Sequence, residues 1–278
     1  MTLYPNCKIN IGLNVVEKRP DGYHNIETLF YPIQGLKDRL TIERDDESAD
    51  GISLTTTNIA IDCADEHNLI VRCYHRMKSL FPQIGAVRAV LEKNIPFGAG
   101  LGGGSSDAAH TAVALNSLFD LGLSRRQLVD IVKPLGADCP FFIYNTPCLA
   151  YGIGDDLHPV DFSLSCKRLI MIKPPVGVST KEAYAGLTPS HRHLISRETL
   201  SGWHSYTNDF EQSVFARLPL LAKVKDCLLK AGAEYAAMSG SGSTVFGIFE
   251  SDADSGADTY LRMFDEDFAS MVIFNDTL

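Results

Sequence analysis

An α+β fold is predicted for this chain, and three observations carry that expectation. Most segments that alternate with period two lie ahead of Leu91, a glycine-rich stretch follows, and segments of helical period come after it. That order is neither a repeated βαβ array nor an all-β pattern. The 278 residues exceed the roughly 100–200 of a single domain, so two domains or one large one are expected. A hydrophobic content of 45% with 21% charged residues is that of a soluble globular protein with a sizeable core.

Cys7 to Val15 alternates strictly, with Ile9, Ile11, Leu13 and Val15 on one face and Lys8, Asn10, Gly12 and Asn14 on the other. It reads as a half-buried strand. Its polar face carries a lysine and, two residues on, an asparagine aimed the same way; taken alone, Lys8 fits a solvated strand position or a catalytic one. Arg19-Pro20-Asp21-Gly22 is a turn signal, with proline suited to the second position and glycine to positive φ. Tyr23 and His24 follow it, either as a ligand-facing pair or as a packed tyrosine beside a surface histidine. Leu29–Ile33, Arg39–Glu43 and Ile52–Thr56 are further strands. Asn68 to Leu80 reads as a helix with Leu69, Cys73, Arg76 or Met77, and Leu80 on its buried side. Val87, Ala89 and Leu91 then alternate into the glycine stretch.

Ile95-Pro96-Phe97-Gly98-Ala99-Gly100-Leu101-Gly102-Gly103-Gly104-Ser105-Ser106-Asp107 has the outline of an anion site. Glycines permit φ > 0 and close approach of N–H groups to a ligand, and the helix that follows points its positive dipole end at it. Ala108, Ala112, Leu115 and Phe119 share one face of that helix, with Ser105 or Ser106 as candidate cap. Gly98 to Gly103 satisfies G-x-G-x-x-G, but a dinucleotide fold needs a strand and a ribose-binding acid after the helix. Here Ser124-Arg125-Arg126-Gln127 reads as a capping box opening a second helix. A P-loop would require Gly-Lys-Ser/Thr and a protein kinase a V-A-I-K strand, and neither is present. The bland alternative is a glycine-rich surface turn.

In Gly136-Ala137-Asp138-Cys139-Pro140-Phe141-Phe142 an acid sits between small and apolar residues, either as a turn or N-cap residue or as an acid in a dry cleft. Pro159 and the polar residues from Asp156 to Ser165 interrupt the pattern, dividing the chain into residues 1–158 and 159–278. Leu169–Ile172 opens the second part as a strand, and Thr180–Ala185 is helical. Leu187 to Trp203 is a weakly periodic loop with short helices. Pro219–Lys230 is a helix with Gly232 just past its end. Met238-Ser239-Gly240-Ser241-Gly242-Ser243 is a second small-residue loop before a strand from Thr244 to Phe249. Such a loop signals close backbone packing or an approach to the phosphate-binding stretch.

Seven cysteines, Cys7, Cys63, Cys73, Cys139, Cys148, Cys166 and Cys227, are odd in number and lack any C-x-x-C, so neither a zinc site nor a disulfide frame is indicated. A net charge of −9 argues against a nucleic-acid partner. No apolar run reaches the roughly 18 residues that span a bilayer, so no membrane partner is expected. The N-terminus has no signal or transit pattern, which predicts a cytoplasmic protein. Oligomeric state is not legible.

Three segments together resemble, in order, the three motifs of the GHMP kinase superfamily: Asn6-Cys7-Lys8-Ile9-Asn10-Ile11-Gly12-Leu13, Pro96 to Ser106, and Met238 to Val245. Arg19-Pro20-Asp21-Gly22-Tyr23-His24, Asn68-Leu69-Ile70-Val71-Arg72 and Gly136 to Phe141 narrow the resemblance to a branch that phosphorylates a cytidyl diphosphate alcohol. It covers most of the chain and is weakest over Leu187 to Leu200 and at the C-terminal end. The resemblance implies an N-terminal domain of the ribosomal-protein-S5 type, a C-terminal ferredoxin-like domain, and an active site in the cleft between them.

It further implies Lys8 and Asp138 as the catalytic pair, Asp138 taking the proton of the C2 hydroxyl of a methylerythritol unit and Lys8 orienting it and offsetting charge. ATP is the implied donor, bound by Pro96, Phe97, Gly98, Ala99, Gly100, Leu101, Gly102, Gly103, Gly104, Ser105, Ser106 and Asn68. Mg²⁺ would be held chiefly by phosphate oxygens and water, because no acidic ligand pair is evident; no protein metal ligand is assigned. Asn10, Tyr23, His24 and Tyr184 are the implied substrate contacts, two rings sandwiching the cytosine. Cys7 stands where the family usually has alanine, and Tyr151 where it commonly has an acid. Another small-alcohol kinase, a diphosphomevalonate-type decarboxylase and a non-catalytic nucleotide-binding module are the alternatives.

Overall fold

The computed structural model describes residues 1–48, 51–60, 64–250 and 266–278, so Cys63 lies outside the described residues. In chain order the strands are β1 (Thr2–Leu3), β2 (Asn6–Lys18), β3 (His24–Lys37), β4 (Arg39–Arg44), β5 (Ile52–Asn58), β6 (Val87–Lys93), β7 (Cys148–Tyr151), β8 (Asp156–Pro159), β9 (Lys167–Ile172), β10 (Tyr235–Met238), β11 (Val245–Glu250) and β12 (Val272–Thr277). The helices are α1 (Leu69–Leu80), α2 (Gly103–Leu118), α3 (Arg125–Val132), α4 (Cys139–Tyr144), α5 (Thr180–Ala185), α6 (Phe210–Arg217), α7 (Pro219–Lys230) and α8 (Glu266–Ala269). They form two compact units: Met1–Lys8 with Leu36–Phe97 and Gly102–Thr146, and Ile9–Gly35 with Gly98–Leu101 and Pro147–Leu278.

The first unit is built on a sheet of order β1-β4-β6-β5, in which β5 runs parallel to β6 and the other pairs are antiparallel. Strand β6 alternates as its sequence predicts: Val87, Ala89, Leu91 and Lys93 face inward, and Arg88, Val90 and Glu92 outward. Helix α2 packs on α1, α4 and β4, its buried Ala108, Ala112 and Leu115 letting the helix axis come close. The capping box of α3 is present, with Ser124 Oγ accepting from Gln127 N and Gln127 Oε1 from Ser124 N.

The expected buried face of α1 is corrected. Ile70, Val71, Cys73, Tyr74 and Met77 are buried, and Leu80 is exposed. Tyr74 draws the helix round because its hydroxyl is satisfied inside, donating to the Gly85 carbonyl (3.1 Å) and accepting from Gly51 N (3.2 Å).

The second unit contains two sheets, β2-β3-β7-β8 and β10-β11-β9-β12. The latter is wholly antiparallel, and its first strand in sequence, β9, lies between the third and the fourth. With helices in the crossovers from β9 to β10 and from β11 to β12, this is a split βαβ arrangement of the ferredoxin-like kind. Helix α7 ends as predicted, with Gly232 at φ +96° just past it.

Strand β2 is not half-buried as its alternation suggests: every residue from Asn6 to Val16 is buried. Its polar face is covered where Lys8, Asn10 and Asn14 find partners. Asn14 Nδ2 donates to the Arg192 carbonyl (2.7 Å) and to Glu27 Oε2 (3.1 Å). Glu27 also accepts from the N–H groups of Leu194 (2.8 Å) and Ile195 (3.1 Å) and pairs with His193. That one buried carboxylate orders the weakly periodic segment around residue 194. Among the described residues no helix is long and apolar enough to cross a membrane.

Candidate active site

Within the first unit the glycine stretch delivers the chain into α2. Gly102 occupies the cap position in the left-handed region (φ +72°) and no side chain caps the helix. The expected serine cap is therefore corrected: the turn is made by glycine, and Ser105 and Ser106 fall inside the first turn. Ser106 N closes on the Gly102 carbonyl (2.9 Å), which leaves the N–H groups of Gly103, Gly104 and Ser105 outside the helical ladder. Uncapped N–H groups at the positive dipole end favour an anion.

The three consecutive glycines answer to different constraints. A Cβ on Gly102 would lie 2.9 Å from Phe142 Cζ and 3.3 Å from Lys8 Cε, and one on Gly103 would lie 2.9 Å from Lys93 Nζ. On Gly104 it would meet only Leu69 Cδ1 at 3.8 Å, an ordinary contact. Packing therefore demands glycine at the first two positions and not at the third, which is exposed.

Asp138 stands at the cap position of α4, but its side chain makes no capping hydrogen bond. Its Oδ2 instead lies 3.4 Å from Lys8 Nζ, the lysine side chain 4% exposed and the carboxylate 31%. A buried ammonium thus holds a carboxylate that still reaches solvent. Ser105 Oγ lies 3.7 Å from where a Gly136 Cβ would stand, so the first turn of α2 and the Asp138 loop are neighbours. Burial pushes the adjacent Cys139 thiol up to about 12, against a hydrogen bond with Ser105. That thiol stays protonated and does not compete as a nucleophile.

Asn68 caps α1, its Oδ1 accepting from Ile70 N (2.9 Å). Phe97 is exposed ahead of Gly98. Sequence reasoning missed a buried Asp38–Lys93–Asp107 cluster in this unit. The available signal was Lys93 itself, a charge on the core face of an otherwise apolar alternation.

Within the second unit, Gly98–Leu101 packs against the Met238–Ser243 loop. Ser239 Oγ donates to the Gly100 carbonyl (2.9 Å), and Thr244 N donates to the Ala99 carbonyl (3.2 Å). A Cβ on Gly100 would lie 2.0 Å from the Ser239 carbonyl oxygen, so only glycine fits. Both readings of the small-residue loop hold at once: its backbone packs closely, and what it packs on is the glycine stretch. Asn208, also missed, donates to the Met238 (2.7 Å) and Gly240 (2.8 Å) carbonyls. Asn10 is buried here, its Nδ2 donating to Thr28 Oγ1 (3.0 Å) and its N–H to Ser239 Oγ (3.3 Å).

The Arg19–Gly22 turn forms as predicted, with Gly22 at φ +88°. Tyr23 is exposed beyond it, and His24 opens β3. The His24 ring stacks directly on Tyr184, centroids 4.4 Å apart and 14° from parallel, and Tyr184 sits edge-on to Phe210. The two rings stack on each other, with no gap for a base between them, so they present one stacking face. Burial, with Lys18 adding to it, holds the His24 imidazole below its ordinary range, hence neutral at pH 7.

N–H groups that favour an anion and a carboxylate able to take a hydroxyl proton belong together in a phosphotransferase, and the comparison with known proteins agrees. Residues 68–146 match the GHMP kinases N terminal domain and residues 191–265 the GHMP kinases C terminal. The chain belongs to the GHMP kinase family and is an ATP-dependent small-molecule kinase.

It is 48% identical over 255 residues to the 4-diphosphocytidyl-2-C-methyl-D-erythritol kinase of Parabacteroides distasonis, covering 90% of this chain and 92% of that protein. The identity and the shares covered are the same for the enzyme of that name from Cytophaga hutchinsonii. A crystal structure of 4-(cytidine 5'-diphospho)-2C-methyl-D-erythritol kinase matches with a TM-score of 0.79 at 31% identity, over 98% of this chain and 96% of that one.

Proposed function

We propose that this kinase transfers the γ-phosphoryl group of ATP to the C2 hydroxyl of 4-diphosphocytidyl-2-C-methyl-D-erythritol, in the cytoplasm, as a step of the non-mevalonate route to isoprenoids. The observation that carries the chemistry is the Lys8–Asp138 pair beside the uncapped start of α2. The acceptor follows from the 48% identity to enzymes named for it. Asp138 accepts the hydroxyl proton as the oxygen attacks the γ-phosphorus, and Lys8 orients that oxygen and offsets its growing charge. The N–H groups of Gly103, Gly104 and Ser105 hold phosphate oxygens, which is most of what a loose phosphoryl-transfer transition state requires.

Among the described residues no three His, Cys, Asp or Glu side chains group as metal ligands. Mg²⁺ would come with the triphosphate, held by its oxygens and water, and would neutralise phosphate charge when bound. Tyr23 and the stacked His24–Tyr184 face receive the cytosine, and Asn10, whose N–H donates to Ser239 Oγ, contacts the acceptor from β2. Phosphorus NMR of the products from ATP, Mg²⁺ and a panel of alcohols with and without the cytidyl group tests the assignment. A phosphomonoester formed only on the cytidyl alcohol is expected; preferential phosphorylation of an alcohol lacking cytidine, or loss of carbon dioxide from an acid, would refute it.

A further inference from the structure

Three charged side chains that the reaction does not use meet in the interior of the first unit. Asp38, between β3 and β4, accepts through Oδ1 from the backbone N–H groups of Asn94 (2.6 Å) and Ile95 (2.8 Å). Its Oδ2 accepts from Lys93 Nζ, which also donates to Asp107 Oδ2 at 2.9 Å. None of the three is more than 2% exposed. Two carboxyl groups and one ammonium so deeply buried are a poor way to add stability, because desolvation offsets their attraction and apolar residues of like volume do as well. What the cluster does determine is position.

Asn94 and Ile95 are the last residues before Pro96, and Asp107 lies on α2 one turn after Gly103. The Lys93 ammonium also rests against the first residue of that helix, 2.9 Å from where a Gly103 Cβ would be. Besides the cluster itself, the buried Cys7 thiol lies within its field; burial together with Asp38 pushes that thiol up to about 12, so it adds no charge.

We propose that Asp38, Lys93 and Asp107 are positioning residues for ATP, tying the segment that enters the glycine stretch to the helix that leaves it at the spacing the phosphates need. The inference rests on phosphate binding at the start of α2 and not on the identity of the acceptor. Asp107 shows how the tie works. Burial pushes its carboxyl up to about 7, with Lys93 opposing, and one of its oxygens, Oδ1, has no hydrogen-bond partner among the described residues. The bond from Lys93 to Oδ2 survives in either protonation state, since a carboxylic acid still offers an acceptor oxygen; an amide offers the same oxygen.

Calorimetric ADP binding to Asp107→Leu and Asp107→Asn, with KM for both substrates, tests the proposal. The leucine variant should weaken ADP and raise KM for ATP tenfold or more while leaving KM for the acceptor unchanged, and the asparagine variant should stay within threefold of wild type. ADP affinity within twofold of wild type in the leucine variant, or equal weakening by asparagine, would overturn it. Should the leucine variant not fold, Asp38→Asn decides: its amide turns a donor toward Lys93, and faster hydrogen exchange at Asn94 and Ile95 with weaker ADP binding is expected. Faster exchange with unchanged ADP affinity would overturn the proposal. ADP binding needs no acceptor, so a wrong acceptor assignment leaves this result intact.

Discussion

Gly104→Ala separates a glycine kept for packing from one kept for a ligand. The position is helical and exposed, and a Cβ there meets only Leu69 Cδ1 at 3.8 Å, so the folded chain has room for it. Alanine exceeds glycine in a helix by about 0.5–1 kcal/mol, and at roughly 2–4 °C per kcal/mol for a chain of this size the Tm should rise by about 1–4 °C. The same methyl group stands over N–H groups assigned to the ATP phosphates. Excluding one well-placed phosphate contact costs at least about 1.4 kcal/mol, a tenfold rise in KM for ATP. Thermal denaturation and initial rates at varied ATP measure the two effects on one protein. Gly102→Ala is the control: at φ +72°, with Phe142 2.9 Å away, it should lower Tm. A Gly104→Ala enzyme that melts higher but keeps KM for ATP within twofold would refute phosphate binding at this face.

Asp138→Asn should lower kcat by about 10²- to 10⁴-fold with ADP affinity little changed, measured by turnover and calorimetry, because the amide keeps the shape but takes no proton. Tyr184→Ala should raise KM for the cytidyl substrate about tenfold, consistent with stacking worth about 1–3 kcal/mol, and leave KM for ATP unaltered; Tyr184→Phe, which keeps the ring on His24, should restore it. Asp107 has a folded-state pKa of about 7 against an ordinary 3.8, so the folded chain binds its proton more tightly than the unfolded one. The stability this contributes is fully present below about pH 4 and is lost as pH rises through 7. Urea midpoints at pH 5 and pH 8 should therefore differ less in Asp107→Asn than in wild type, and an unchanged pH slope would remove Asp107 from that account.

The amino-acid sequence by itself determined what depends on neighbours along the chain. The α+β order, the capping box at Ser124, the turn at Gly22 and the stop at Gly232 follow from local period and from backbone conformations that few residues adopt. The glycine stretch was legible for the same reason, and resemblance to known kinase motifs supplied the pairing of Lys8 with Asp138.

Tertiary structure decided whatever depends on partners distant in sequence. Strand β2 reads as half-buried because alternation reports side-chain polarity, whereas burial of its polar face rests on Glu27, Thr28 and Asp138. Strands β7 and β8 are four residues long, and a register shift between Val272 and Phe274 breaks the alternation of β12, so none carried a readable period. That His24 and Tyr184 close on each other, and that Gly104, unlike Gly102 and Gly103, has room for a methyl group, are facts of packing. The Asp38–Lys93–Asp107 cluster joins residues 14 to 69 positions apart in one dry site. Charge in a sequence gives no sign of whether water will reach it, and only the fold, by excluding water there, turned three ordinary charged residues into a fixed tie.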